Sequence, residues 1–293
     1  MRHVIIFLVL ICFYLSGQAQ HQKNDTLKHV YITLKSYKQK YKKPLTQKDS
    51  LSFLFKDNDT LVLVENYLRP NGVGVPYEYK DSTFLHYYKK IAFRTKSIDS
   101  LDKKQTMRYW KDDIKVFFSK SVEKRTRNDF MSFAKSVANQ VDSLNVSEVK
   151  HVEDSNYIVY YFGDYEYESR MKHYKNSDFY LSWNKHQQIY SCSVKIDTDL
   201  YFNEALIQEI LKDYFIITLG HFSKINDFSC ESYFADCYSK NKQLTTLDIE
   251  LIKYHYSYGI CKGTNLETFE EQHEIAKETL NSHNRKVRFY HPY

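Results

Sequence analysis

Histidines, cysteines and paired carboxylates are the residues here with chemistry to offer. Zinc-dependent hydrolysis needs two histidines four apart on one helix face, so that both imidazoles reach one Zn²⁺. It also needs a glutamate beside the first to take a proton from metal-bound water. His151, His173, His186, His221 and His255 show no tight ligand spacing. His273-Glu274 is followed by His283 ten positions later. At about 1.5 Å of rise per residue, that separation on a straight helix keeps the two from sharing a metal. Asp112-Asp113, Glu166 with Glu168, and Glu270-Glu271 are paired carboxylates. A glycosidase would need such a pair facing one sugar site, and a solvated surface carries them as readily. Cys192, Cys230, Cys237 and Cys261 lack the close pairs of a zinc ribbon or finger and have no local base partner for a catalytic thiol. In an exported chain they read as disulfide candidates with three possible pairings, a pair of buried free thiols being the alternative. The chain has no G-x-S-x-G elbow, dinucleotide fingerprint or P-loop.

The elements that must position these residues are legible from periodicity. Leu51–Phe55 and Leu61–Asn66 read as extended segments, Arg69-Pro70-Asn71-Gly72 as a turn, and Ser82–Phe93 as a helix capped by Asp81 or Ser82. Ile114–Ser119 reads as a strand, and Arg127–Leu144 as a helix with apolar residues at three- and four-residue steps. Asn156–Gly163, Phe179–Trp183 and Ile189–Ile196 are further strands, the last two joined by a hairpin-length connection. Asn203 caps an apolar helix, Glu204–Leu219, that ends at Gly220. Further helices follow Thr245-Thr246 and span Leu266–Leu280. Strand, helix, three strands and then helices make an α+β layout, a mixed sheet backed by helices.

Composition narrows the classes. Seven glycines in 293 residues cannot supply collagen repeats, a glycine-rich linker or a set of phosphate-cradling loops. A hydrophobic content of 42% with 16% aromatics is too high for a disordered chain. The formal charge of +6 is mild and spread along the chain, so no nucleic-acid partner is expected. Arg2 and His3 lead an apolar run from Val4 to Leu15, followed by Ser16-Gly17-Gln18-Ala19. This is the pattern of a secretory signal peptide cut after Ala19, and the run is too short to span a bilayer. Bulky Ile11 before Cys12 argues against a lipid anchor. Beyond the leader no segment is apolar enough to span, so the reading is export to the periplasm or outside the cell. Lys35, Lys38, Lys40, Lys42 and Lys43, interleaved with Tyr37 and Tyr41, read as a solvated arm that could touch an anionic polymer or a membrane surface.

The order of elements resembles the zincin-type metallopeptidase domain, its metzincin branch in particular. Ile207-Gln208-Glu209-Ile210-Leu211-Lys212 sits where that family has its H-E-x-x-H helix, after the last sheet strand. Ser232-Tyr233-Phe234-Ala235-Asp236 sits where the turn beneath the metal would come. Leu244-Thr245-Thr246-Leu247-Asp248 through Tyr256 looks like the helix after that turn. Closer still is a bacterial exported domain of unknown function with a degenerate form of this fold. The matching stretches are Ile91-Ala92-Phe93, Trp110 through Val116, Gln208-Glu209 and Ser232 through Asp236. The resemblance covers roughly residues 84 to 280. With residues 1–19 read above as signal peptide, it implies 20–83 as an N-terminal extension and 84–293 as a zincin-like domain.

The resemblance also implies that the metal chemistry is lost. Gln208 and Lys212 stand at the two histidine positions, Thr218 at the third and Phe215 at the usual glycine; of the catalytic set only Glu209 is kept. Glutamine is a poor zinc ligand and an ammonium repels the cation. The implied protein holds no metal or other cofactor and has a binding or structural role in the cell envelope, with an envelope protein or anionic polymer as candidate partner. Gln208, Glu209, Lys212 and Asp236 are the pocket candidates. His221 and His255 would adjoin that pocket if the zincin packing holds. The alternative is an active hydrolase, metal-dependent or working through Glu209 and a neighbouring acid.

Overall fold

The computed structural model describes residues 30–42, 44–56, 59–64, 72–94, 105–283 and 288–292. The expected leader with its cut site and the Arg69-Pro70-Asn71 part of the expected turn lie outside the described residues. The chain divides into two units, Met1–Asn71 and Gly72–Tyr293. Among the described residues no helix is long and apolar enough to cross a membrane.

In the first unit, alternation in Asp59–Val64 makes a strand, β3, whose Val62 and Val64 turn inward. It pairs antiparallel with β1 (Val30–Thr33) on one side and β2 (Leu54–Lys56) on the other. The lysine-rich stretch folds as α1 (Leu34–Tyr41), capped by the Thr33 hydroxyl and closed by Lys42 in the left-handed region. Its lysines are exposed, and Tyr37 stacks on Tyr41 one turn away. A capping box between Thr46 and Asp49 starts the short α2 (Gln47–Leu51), which takes Leu51 out of the extended segment that its apolar neighbours suggest.

The second unit is α+β. Parallel strands β6 (Ile114–Phe118), β7 (Val146–Glu148), β8 (Tyr157–Tyr161) and β10 (Gln188–Ile196) lie in the order β7-β6-β8-β10. Short β5 (Tyr109–Trp110) pairs parallel with the first residues of β10, and β9 (Asp178–Trp183) runs antiparallel along β10. Cys192 through Ile196 are buried without alternation, as expected of a strand covered on both faces. One face is covered by α4 (Lys124–Ala138) and α5 (Glu204–Gly220). There Phe130 meets Phe118 at 5.7 Å and Phe215 at 5.5 Å between ring centroids. Opposite, Lys195 is buried on β10 and its ammonium is held by Glu166 and by the Met171 carbonyl.

Three more helices build a second aromatic layer: α3 (Ser82–Ala92), α6 (Thr246–Tyr256) and α7 (Leu266–His283). Asp81 caps α3 by accepting from the Thr83 and Phe84 amides. Tyr88 of α3 crosses Tyr254 of α6 at 4.8 Å, and Phe93 meets Phe269 of α7 at 5.3 Å. β4 (Gly72–Pro76) and β11 (Arg288–Pro292) form a separate antiparallel pair. The helix expected over Arg127–Leu144 ends at Ala138. Residues 139–144 fold as tight turns that still bury Val141 and Leu144, so apolar spacing continues where helical bonding stops.

Candidate functional site

α5 begins directly after the last strand of the sheet, with the Asn203 side chain accepting from the Leu206 amide at 3.0 Å. It runs unbroken for 17 residues and ends at His221, which adopts φ 53°. Three of its last four carbonyls, and that of the cap, are engaged. Ile217 O accepts from the Phe222 amide, Thr218 O from the Trp110 indole, Leu219 O from the Tyr256 hydroxyl at 2.6 Å, and His221 O from Arg94. Gly220 is required by contact: a Cβ there would stand 2.3 Å from the ring of buried Phe222.

The residues at the resemblance's metal positions are committed to packing. Gln208 is 7% exposed, and its amide donates to the Thr126 carbonyl of α4 at 2.8 Å. Its Oε1 is buried without a partner. Lys212 holds its ammonium 5.6 Å from the centre of the Phe133 ring, also on α4. Thr218 is fully buried and donates back to Phe215 O at 3.0 Å. Phe215 fills the core between Phe130 and Tyr157, so no glycine breaks the helix there.

One row around the helix, Glu209 and Asp213 face Tyr233. Burial first, then the charges of Asp213, Asp248 and Glu209, push the Tyr233 phenol up. Asp213 is 8% exposed; its Oδ2 accepts from Lys224 Nζ at 2.5 Å, and its Oδ1 is buried without a partner. In the sequence, Asp213 is marked only by its place four residues after Glu209, which puts two acids on one row of a largely apolar helix. Asp236 is exposed, near Lys242, whose ammonium is depressed by burial and by Lys224. Gln208 and Lys212 therefore look toward α4, Glu209 toward Tyr233, and Asp236 outward. Two open clefts of the second unit, about 590 Å³ beside Asp112, Asp113 and Asp154 and about 460 Å³ beside Glu78, Asp142 and Lys253, include none of these four.

The turn at Ser232–Asp236 is tied to α6 by one carboxylate. Buried Asp248 accepts from the Ser232 hydroxyl at 2.6 Å, from the Tyr233 amide at 3.1 Å and, in a capping box, from the Thr245 amide at 3.2 Å. Lys242 donates to Ser232 O and Ala235 O. A disulfide, Cys230–Cys237, closes this loop, with Cα atoms 5.1 Å apart. Cys192 and Cys261 are free thiols. Cys192 lies inside the sheet beside Tyr157 and Thr218, where burial pushes its thiol up and leaves it unreactive.

Two buried histidines, His255 and His273, are held in the core by hydrogen bonds. His255 donates from Nε2 to Arg108 O at 2.8 Å and accepts from the Tyr88 hydroxyl at Nδ1; burial holds its pKa down at about 3. His273 bridges the Tyr77 and Tyr254 hydroxyls, with its pKa lowered to about 4 by burial and Lys89. Among the described residues no three His, Cys, Asp or Glu side chains converge as a metal site. Of the paired carboxylates, Glu166 meets Lys195, Glu168 meets Arg170 and Glu270 meets Lys89, while Asp112 and Asp113 line an open cleft. Among known proteins, no family model and no curated sequence matches the chain.

Proposed function

We propose that the protein is an exported binding or structural component of the cell envelope, built on a zincin-like scaffold that no longer serves metal catalysis. One observation carries the reading: the side chains at both histidine positions are spent on the α4–α5 contact, Gln208 on the Thr126 carbonyl and Lys212 on the Phe133 ring. Three features support the scaffold. α5 follows the last sheet strand, the Ser232–Asp236 turn comes after α5 and sets Tyr233 against Phe133 of α4, and α6 follows that turn. The Cys230–Cys237 disulfide fits an oxidising compartment. Elemental analysis of the purified mature protein tests the reading: zinc well below one equivalent is expected. Stoichiometric zinc that disappears on substituting Glu209 or a nearby histidine would overturn it.

A hydrolase working through Glu209 is the second reading. It is favoured by Asp213 one turn further along the same row, with an unpartnered carboxylate oxygen. It requires turnover of peptides or cell-wall fragments that Glu209→Gln and Asp213→Asn each abolish. A broad substrate panel with no turnover removes it.

A further inference from the structure

Where α5 ends, two guanidinium groups come together without an acid. Arg94 and Arg108 are both partly buried, and neither forms an ion pair among the described residues. A charge withdrawn from water is normally paired, because desolvation costs several kcal/mol that only a counter-charge or a full set of hydrogen bonds returns. Arg94 is accounted for by neutral oxygens. It donates to Gln105 Oε1 at 3.1 Å, to Thr106 O at 3.2 Å and, at 3.5 Å, to His221 O at the negative end of α5.

Arg108 is not accounted for in this way. Its guanidinium carbon lies 3.5 Å from the centre of the Trp183 ring, so the group is stacked on the indole. Its Nη1 donates to His221 Nδ1, and its Nε is buried with no acceptor among the described residues. His221 supplies no counter-charge, since an imidazole is neutral or cationic; burial and the two arginines hold its pKa down at about 3, so it stays neutral and adds no further positive charge. Burial and the like charge of Arg94 depress Arg108 itself to about 10. Trp183 remains 38% exposed, so the stacked pair meets solvent. A guanidinium fixed flat on a ring presents a planar fork of donors at reduced entropic cost, the arrangement that recognises two oxygens of one anion.

We propose that Arg108, laid on Trp183 beside Arg94 and His221, binds the oxyanion of a small ligand, a carboxylate or a phosphate. The four residues come from four places: the turn after α3, the approach to β5, the end of β9 and the cap of α5. The site does not depend on what α5 once bound. It stands or falls separately from the zincin-like reading, whose test is zinc content.

Intrinsic fluorescence of the full chain tests it, since Trp183 is one of two tryptophans and the other, Trp110, is buried. Inorganic phosphate and, in parallel, acetate are titrated at constant ionic strength, with chloride as the balancing ion. A saturable change in emission is expected by about 100 mM, well past the ~1 mM affinity worth about 4 kcal/mol. The tighter of the two anions assigns the ligand class. Arg108→Gln weakens the apparent affinity at least about tenfold, and Arg108→Lys weakens it less, keeping the charge without the fork. Phosphate also raises the melting temperature of the wild type and not of Arg108→Gln. No saturable response to either anion, or equal affinity in wild type and a folded Arg108→Gln, overturns the proposal. Should Arg108→Gln fail to fold, equal affinity in Arg108→Lys overturns it instead.

Discussion

Gln208 shows how far residue identity alone can be read. Its type and position suggest a lost metal ligand; its contact, an amide on the Thr126 carbonyl of α4, depends on which helix lies alongside, and periodicity names a face without naming the neighbour. The same limit hid Arg108 and its contact with His221, 113 residues further on, and Asp213, whose partner Lys224 lies beyond the end of the helix. Gln208→Ala removes the side-chain hydrogen bond that ties α5 to the Thr126 carbonyl of α4. It should cost about 0.5–1.5 kcal/mol in urea unfolding. A variant within experimental error of the wild type would remove the packing role assigned to Gln208. Placing histidines at both positions, Gln208→His with Lys212→His, should not create a stoichiometric zinc site, because both positions face α4; zinc titration followed by elemental analysis checks this.

Elements with strong local signals were legible, and short ones were not. Asn203 and Gly220 bracket α5, Thr245 and Asp248 start α6, and β-branched and aromatic runs mark β6, β8 and β10. β5 and β7, two and three residues long, carry too little pattern to stand out. The lysine-rich stretch hid α1, because charge says nothing against a helix with no buried face. α5 itself supplies a test. Gly220→Ala places a methyl group against the Phe222 ring, which is hemmed in by Phe234 and His255 at 5.4 and 4.7 Å. Overpacking of this kind should destabilise by about 1–3 kcal/mol, read as a fall in melting temperature. Phe215→Gly, which installs the glycine of the resembling family, removes a core ring as well as helix propensity. It should cost about 4 kcal/mol or more; near-native stability would mean that Phe215 does not hold α4, α5 and the sheet together.

At the scale of the molecule, three histidines kept neutral by burial make stability depend on pH. His221 and His255 are held at about 3 and His273 at about 4, all below the ordinary histidine value. A depressed native pKa means that the unfolded chain binds the proton first. Their contribution is whole above pH ~6.5 and is lost as pH falls from there toward 4 and 3, at about 1.4 kcal/mol per pH unit for each histidine that stays neutral. Glu168, held below the usual carboxylate range by Arg170, adds loss in the same direction at lower pH. Melting temperature should therefore drop from pH 7 to pH 5, and His273→Gln should flatten that slope. A profile level down to pH 5 would place these histidines in water. The central claim is that the scaffold has exchanged metal ligation for helix packing at Gln208 and Lys212. The most direct measurement is the zinc content of the mature protein, purified without chelator and dialysed against trace zinc. The account predicts well below one equivalent, unchanged by Glu209→Gln; one equivalent per chain, lost in Glu209→Gln or on substituting a nearby histidine, would contradict it.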